Sequence, residues 1–403
     1  MCRSKQTVKT LLKATMLAIL LSVCGNSALA DVKLPAIFSD HMVIQKDKPV
    51  VIWGWAGPGE QISCDISGVS KDGKSGFASP GARTTAGKDG KWMVKLDEFD
   101  DSDTKYILTL TVTGKNKIIL KDVLIGEVWV CSGQSNMQWA VRQANNPKKE
   151  IAAAKYPNIR LFYVPRVPSG TPKDDVNAKW ELCSPKTVGR FSAVSYYFGR
   201  HLHKNLNVPI GLIHTSWGGT RIEPWTPPVG FASVAATKKY LQGINEANEQ
   251  FEQAAAAAKK AGKKAPRHQL NSNRKPTGLY NGMIHPLVPF AIRGAIWYQG
   301  ESNRGNGLYY EKQMQALING WRKVWKQGDF PFYYVQLAPF NRYRGDVTLL
   351  PKIWEAQTNI LKMKNTGMAV IVDVGNINNI HPKNKQDVGK RLALWALAKD
   401  YGK

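Results

Sequence analysis

The chain has 403 residues, 43% of them hydrophobic, which suits two folded units better than one and excludes a disordered or fibrous protein. Its formal net charge is +26. The lysines and arginines are scattered through predicted strands, turns and one insert, so they read as a solvated basic surface favouring anionic glycans rather than as a nucleic-acid interface.

Residues 1–30 carry the pattern of an export signal. Arg3, Lys5, Lys9 and Lys13 give a basic start, 14–24 is apolar but too short to span a bilayer, and Ala28-Leu29-Ala30 is a small-residue cleavage site. The mature chain is expected to begin at Asp31, in the periplasm or outside the cell; an uncleaved anchor is the alternative. No later run is long and apolar enough to span a membrane. The mature part keeps Cys64, Cys131 and Cys183, an odd number that permits at most one disulfide. It has neither a Cys-x-x-Cys pair nor a His-Glu-x-x-His motif, so neither a zinc site nor any other metal site is expected.

Residues 31–121 read as an all-β sandwich domain. Strand-forming runs at 50–55, 61–66, 91–96, 106–112 and 118–120 are separated by turns such as Gly57-Pro58-Gly59 and Thr113-Gly114-Lys115-Asn116. From Asp122 the texture changes. Strands are predicted near 123–130, 208–214, 292–298, 332–337 and 368–373, and helices near 136–155, 192–206, 309–325, 349–362 and 385–399. That alternation predicts a three-layer α/β/α domain over 122–403 with a parallel sheet covered on both faces. Ligands of such sheets sit beyond the carboxyl ends of the strands. The polar turns at Ser135, Gly219, Gln299 and His381 each follow a predicted strand and are expected to gather on that edge. Residues 231–275 interrupt the plan with a basic, alanine-rich, helical insert, read as a surface excursion or lid.

Ser135 stands in a Gly133-Gln134-Ser135 turn directly after a buried strand, where a hydroxyl is presented at the sheet edge. Met137 occupies the place of the second glycine of a Gly-x-Ser-x-Gly elbow, which disfavours an ordinary α/β-hydrolase. Alone the turn is a weak signal, because a helix cap explains most such serines. A nucleophilic serine needs a base. Of seven histidines, His381 lies in a late loop before the closing helix and is best placed to reach Ser135. His214, at a strand end, reads as structural.

Several blocks then carry a family resemblance. Residues 126–137 (Gly-Glu-Val-Trp-Val-Cys-Ser-Gly-Gln-Ser-Asn-Met), 214–220 (His-Thr-Ser-Trp-Gly-Gly-Thr), 279–286, 297–303 and 380–386 resemble, in order, the conserved blocks of the sialate O-acetylesterase family, within the SGNH hydrolases. The resemblance spans about 31–403 and implies a flavodoxin-like sheet, an acetylated carbohydrate substrate and no cofactor. It implies catalysis by Ser135 with His381, and an oxyanion hole of the Ser135 and Gly219 backbone N–H groups with the Gln299 side chain. Trp217, Trp297 and Tyr298 are candidates for an aromatic wall against the sugar, with core packing as the alternative. Arg221 is a candidate partner for a substrate carboxylate, with a structural ion pair as the alternative. Relatives usually carry Asp just before the His-Pro pair, whereas 375–381 here contains none. Glu301 is therefore favoured as the acid that orients His381, over Asp373 and over a bare Ser–His dyad. The missing Asp also motivates a second reading, a non-catalytic or impaired glycan-binding relative. The resemblance further implies a longer chain end than the residues after the closing helix supply.

Overall fold

A computed structural model describes residues 31–343 and 345–403. The export signal expected over 1–30 lies outside the described residues. The first strands are β1 (Val43–Gln45), β2 (Pro49–Trp55), β3 (Gln61–Ser70), β4 (Gly76–Thr85), β5 (Lys91–Glu98) and β6 (Tyr106–Thr113). β4, β3 and β6 form an antiparallel run that continues onto the start of β7 (Lys117–Gly133), while β2 and β5 pair separately. Alternation decides which side chains turn inward: Ile62, Cys64 and Ile66 of β3 are buried, and their neighbours are not.

β7 runs through the boundary expected at 121/122 without a break. Asp122 sits there with φ +53, and β7 carries one extra residue against β6 between Leu108 and Leu110. Such a bulge bends and twists the strand, so one strand can serve two sheets. Arg160 fixes the bend: its Nη1 and Nη2 donate to the Asp122 carboxylate at 2.8 and 3.0 Å, and His41 Nδ1 lies 2.6 Å from the same group. Burial pushes the Asp122 carboxyl up, but the bonds from Arg160 and His41 outweigh it and hold the group below its ordinary value.

Beyond the bend, β7 joins β8 (Tyr156–Tyr163), β9 (Trp180–Cys183), β10 (Ile210–Ser216), β11 (Gly294–Tyr298), β12 (Phe332–Val335) and β13 (Thr366–Ala369). The order is β13-β12-β11-β7-β10-β8-β9, all parallel except β9. Without the β8–β9 edge this is the order of a doubly wound sheet whose switch point lies beside its first strand, here β7. The helices are α1 (Ser135–Gln138), α2 (Pro147–Ala153), α3 (Ala193–Leu206), α4 (Pro228–Ala232), α5 (Lys238–Lys260), α6 (Tyr310–Trp325), α7 (Leu349–Asn359) and α8 (Lys385–Asp400).

Period two sorts the sheet into two cores. Trp129, Cys131, Leu212, Ile296, Tyr298 and Tyr333 pack with α3 and α8. Val128, Val130, Ile213, Ala295, Trp297, Phe332 and Tyr334 pack with α6 and α7, in a core that also takes in the inward side chains of the N-terminal strands. The helix expected over 136–155 is instead two short α-helices with a single 3-10 turn, Val141–Gln143, between them, because the chain leaves the α-helical region at Trp139 and the second α-helix starts only at Pro147, after Asn146 at φ +52. Over the insert, α5 buries only Ile244 and Ala247. None of the described helices is long and apolar enough to cross a membrane. Cys64, Cys131 and Cys183 are free and buried, and burial pushes each thiol up to about 12.

Candidate active site

The site forms where β7 ends between β10 and β11. Gly133 closes β7 with φ +143, and a Cβ on it would stand 2.1 Å from the Tyr298 carbonyl oxygen. Gln134 then donates its N–H to that oxygen at 2.9 Å. Its side-chain Oε1 accepts from the N–H groups of Gly300 and Ser302 at 3.2 and 3.3 Å, stitching the turn to the loop after β11. From the other side, Trp217 N–H donates to Gly133 O at 3.1 Å and Gly218 N–H to Gln138 Oε1 at 2.7 Å. Gly133→Ala is thus expected to combine a backbone conformation hostile to a side chain, costing about 1–3 kcal/mol, with a carbonyl clash. The melting temperature and the catalytic rate should fall together.

Ser135 opens α1, half-buried. Met137 is buried beneath it, and its sulfur lies 3.6 and 3.7 Å from the hydroxyls of Ser195 and Ser192. Ser192, the N-cap of α3, also donates to Met137 O at 2.6 Å. Position 137 therefore fills the core that α3 shares with the sheet, where a glycine would leave a void. The Ser135 hydroxyl makes no hydrogen bond to a described residue, and neither do the backbone N–H groups of Ser135 and Gly219. Gly219 is exposed, at φ +73, with open space around it. Its neighbour Gly218 lies against Ser135: a Cβ there would be 3.3 Å from Ser135 Cβ.

His381 arrives from the loop before α8. Its ring stacks on Trp139 with centroids 4.9 Å apart and planes at 17°. Trp139 lies one turn after Ser135, and Asn136 Nδ2 donates at 2.9 Å to the carbonyl of Ile380, so the residues beside Ser135 and His381 are tied together. The imidazole itself makes no hydrogen bond to a described residue. Catalytic contacts of this kind commonly tighten only once substrate is bound. Burial, with the nearby Lys385 charge, lowers the His381 pKa from its ordinary 6.5.

The remaining expected residues divide. Glu301 reaches the site but does not bond His381: its Oε1 accepts from Asn136 Nδ2 at 2.6 Å, and its Oε2 is buried without a partner. Desolvation raises its pKa, against the opposing Asn136 bond and Lys385 charge. Asp373 is spent on Arg391, with two bonds of 2.6 and 2.5 Å on the exterior, and that pairing pulls it down to about 2. Gln299 offers no free donor. Its Nε2 donates to Thr220 O at 3.2 Å and Asn303 Oδ1 at 2.7 Å, and its Oε1 accepts from Tyr310. Trp297 is not on an aromatic wall, since an interior strand position points it between Trp225 and Trp321. Tyr298 faces the opposite core, fully buried under Lys385, whose Nζ lies 5.1 Å from its ring. Trp217 remains partly exposed beside Gly218. Arg221 is held by Glu223 at 2.9 Å, with further bonds to Ser302 O and Asn306. His214 is structural as expected: buried, bonded to Ser216 Oγ at 2.6 Å and lowered by burial to about 3.

Three residues escaped the sequence reading: Asn136, Trp139 and Lys385. The signal for each was adjacency to a motif, since Asn136 follows Ser135, Trp139 sits one turn on and Lys385 lies four residues after His381. No cluster of three or more metal-ligating side chains occurs among the described residues.

The chain is similar to several known proteins. The profile of the family described as "Carbohydrate esterase, sialic acid-specific acetylesterase" matches residues 125–397. Sialate O-acetylesterase of Mus musculus is 31% identical over 95% of this chain and 76% of its own. That of Homo sapiens is 32% identical over 92% of this chain and 71% of its own. The crystal structure of a carbohydrate acetylesterase from Xanthomonas citri superposes with a TM-score of 0.75 at 33% identity, covering 92% of this chain and 76% of that one.

Proposed function

Because this chain belongs to the sialic acid-specific acetylesterase family of carbohydrate esterases, which removes O-acetyl groups from sugars, we propose that Ser135 and His381 carry the reaction through an acetyl-serine intermediate. What supports this reading most is that the Ser135 hydroxyl and the Ser135 and Gly219 N–H groups are unengaged, with Gly218 packed against Ser135 and the His381 ring stacked on Trp139, one turn after Ser135.

Ser135 Oγ attacks the acetyl carbonyl while His381 takes its proton. The Ser135 and Gly219 N–H groups stabilise the oxyanion. The tetrahedral centre collapses, the sugar oxygen leaves and His381 returns the proton to it. Water then attacks the acetyl ester with His381 again as base, releasing acetate and restoring Ser135. Gln299 holds the Thr220 and Asn303 loops in place rather than donating to the oxyanion, and Glu301 acts on both loops through Asn136. The lowered His381 pKa means the imidazole keeps its proton only at pH values below 6.5. The acid limb of kcat/KM is therefore expected below the ordinary histidine value. The basic, apolar pattern of 1–30 with its Ala-Leu-Ala site supports action after export.

The sugar acted on is one bearing a carboxylate, as sialic acid does. Arg221, the expected reader of that group, is neutralised by Glu223. Arg166 is exposed, pairs with no carboxylate among the described residues, and its Cζ lies 5.8 Å from the centroid of Trp217 beside the Ser135 turn. Acetate release from acetylated sialosides and acetylated xylan, with wild type and Arg166→Ala, tests the assignment. Arg166→Ala should raise KM for sialosides by about tenfold and leave xylan unchanged, as expected for one charge-assisted contact. Equal KM changes for both substrates, or none for either, would contradict it.

A further inference from the structure

Lys385 is the first residue of α8, and it is fully buried. Both facts run against its chemistry. Buried lysines are rare without a partner, and a cation at a helix N-terminus opposes the backbone dipole. Its Nζ donates to Asn136 Oδ1 at 2.5 Å. The other end of the same amide donates to Glu301 Oε1 at 2.6 Å and to the Ile380 carbonyl at 2.9 Å. Only one orientation of Asn136 is compatible with this arrangement, because a flipped amide would set its oxygen against a carboxylate and a carbonyl and its N–H groups against an ammonium. Asn136 thus lies between a buried cation and a buried anion, with both bonds charge-assisted. The two residues it joins to the network flank the machinery: Asn136 follows Ser135, and Ile380 precedes His381.

We propose, building on the Ser135–His381 reading above, that Lys385 is a positioning residue: its ammonium, held on Asn136 opposite Glu301, pins the Ser135 turn to the His381 loop and keeps the imidazole neutral for its work as a base. The groups facing Lys385 are few. Glu301 and Tyr298 come from the loop after β11 and from β11 itself, and His381 from its own loop. α3 packs on α8 with Val194, Tyr197 and Phe198 against Gly389. Among the described residues Glu301 is thus the one carboxylate facing the ammonium. Burial lowers Lys385 to about 7 despite the attraction of Glu301, so its charge is lost close to neutrality.

The sign follows. A cation beside His381 disfavours imidazolium, so removing it raises the His381 pKa, and the uncompensated Glu301 carboxylate pushes the same way. Lys385→Met should move both the NMR titration of the His381 ring and the acid limb of kcat/KM to higher pH by about one unit. It should lower kcat by at least about tenfold at pH 7 with little change in KM. A purely structural lysine would not move the titration. Wild-type protein gives a second readout should the variant fail to fold: the His381 resonance should show a further inflection close to 7, where Lys385 loses its proton. A His381 titration that is identical in the variant, or single and at the ordinary value in wild type, overturns the proposal. The NMR titration does not depend on turnover. An active Ser135→Ala would therefore sink the catalytic reading while leaving this coupling standing, and the reverse outcome is separable in the same way.

Discussion

Ser135→Ala is expected to abolish acetate release, with kcat falling on the order of 10⁴- to 10⁶-fold, as when the nucleophile of an acting triad is removed. The folded state should barely notice. The Ser135 hydroxyl bonds nothing among the described residues, and α1 is fixed from outside by Gln134 on the β11 loop, by Gln138 on Gly218 and by Met137 in the core. Stability should stay within about 0.5 kcal/mol of wild type, the usual range for a side chain with no structural partner. This separation of rate from stability is what makes the variant informative. A p-nitrophenyl acetate assay beside a thermal melt reads both quantities. If Ser135→Ala and wild type share one background rate, the chain is a glycan-binding relative of the esterases and the catalytic reading falls.

The largest stability effect is expected far from the chemistry, at the start of the parallel sheet. Glu127, in β7, is fully buried. Arg293, just before β11, donates to it from Nε at 2.6 Å and from Nη2 at 2.9 Å, and Gln45 donates at 3.1 Å. Arg293 also reaches Asp47 at 3.0 Å, so one guanidinium ties the N-terminal strands to the central pair β7–β11. Arg293→Ala leaves a buried carboxylate facing Gln45, the Tyr401 hydroxyl and a Lys46 ammonium 3.7 Å away. Breaking a buried ion pair from one side costs about 3–5 kcal/mol. Chemical denaturation should show a loss of that size at pH 7. The activity of the molecules that remain folded should be close to wild type, since Ser135 and His381 lie at the opposite ends of these strands.

Much of this was legible in the sequence for a definable reason. Apolar runs such as 128–130 and 294–298 read as buried strands, and the turns after strands of a parallel sheet are expected on one edge, so the sequence alone points Ser135, Gly219, Gln299 and His381 to the same edge. Three things were not legible. The joint between the N-terminal strands and the parallel sheet reads as a boundary at Asp122 because texture changes there, yet the chain bends within β7 and carries straight on. That bend depends on Arg160, which lies far away in sequence. The aromatic residues Trp297 and Tyr298 looked equally suited to sugar and to core, and only the parity of β11 decides between them. Finally, lysine reads as a surface residue in any composition argument, so Lys385 went unremarked. Its burial depends on Asn136 and Glu301, which meet it from α1 and from the loop after β11. The third catalytic member was uncertain for the same reason, because the carboxylate that reaches the site does so through an amide rather than by bonding His381.

The central claim is that Ser135 is the nucleophile, and the most direct test is to map the residue labelled by an alkyl fluorophosphonate. The account predicts one label per active molecule, on the peptide containing Ser135, with esterase activity lost in proportion to labelling. Complete inactivation with the label on another residue, or full activity in protein fully labelled at Ser135, would contradict it.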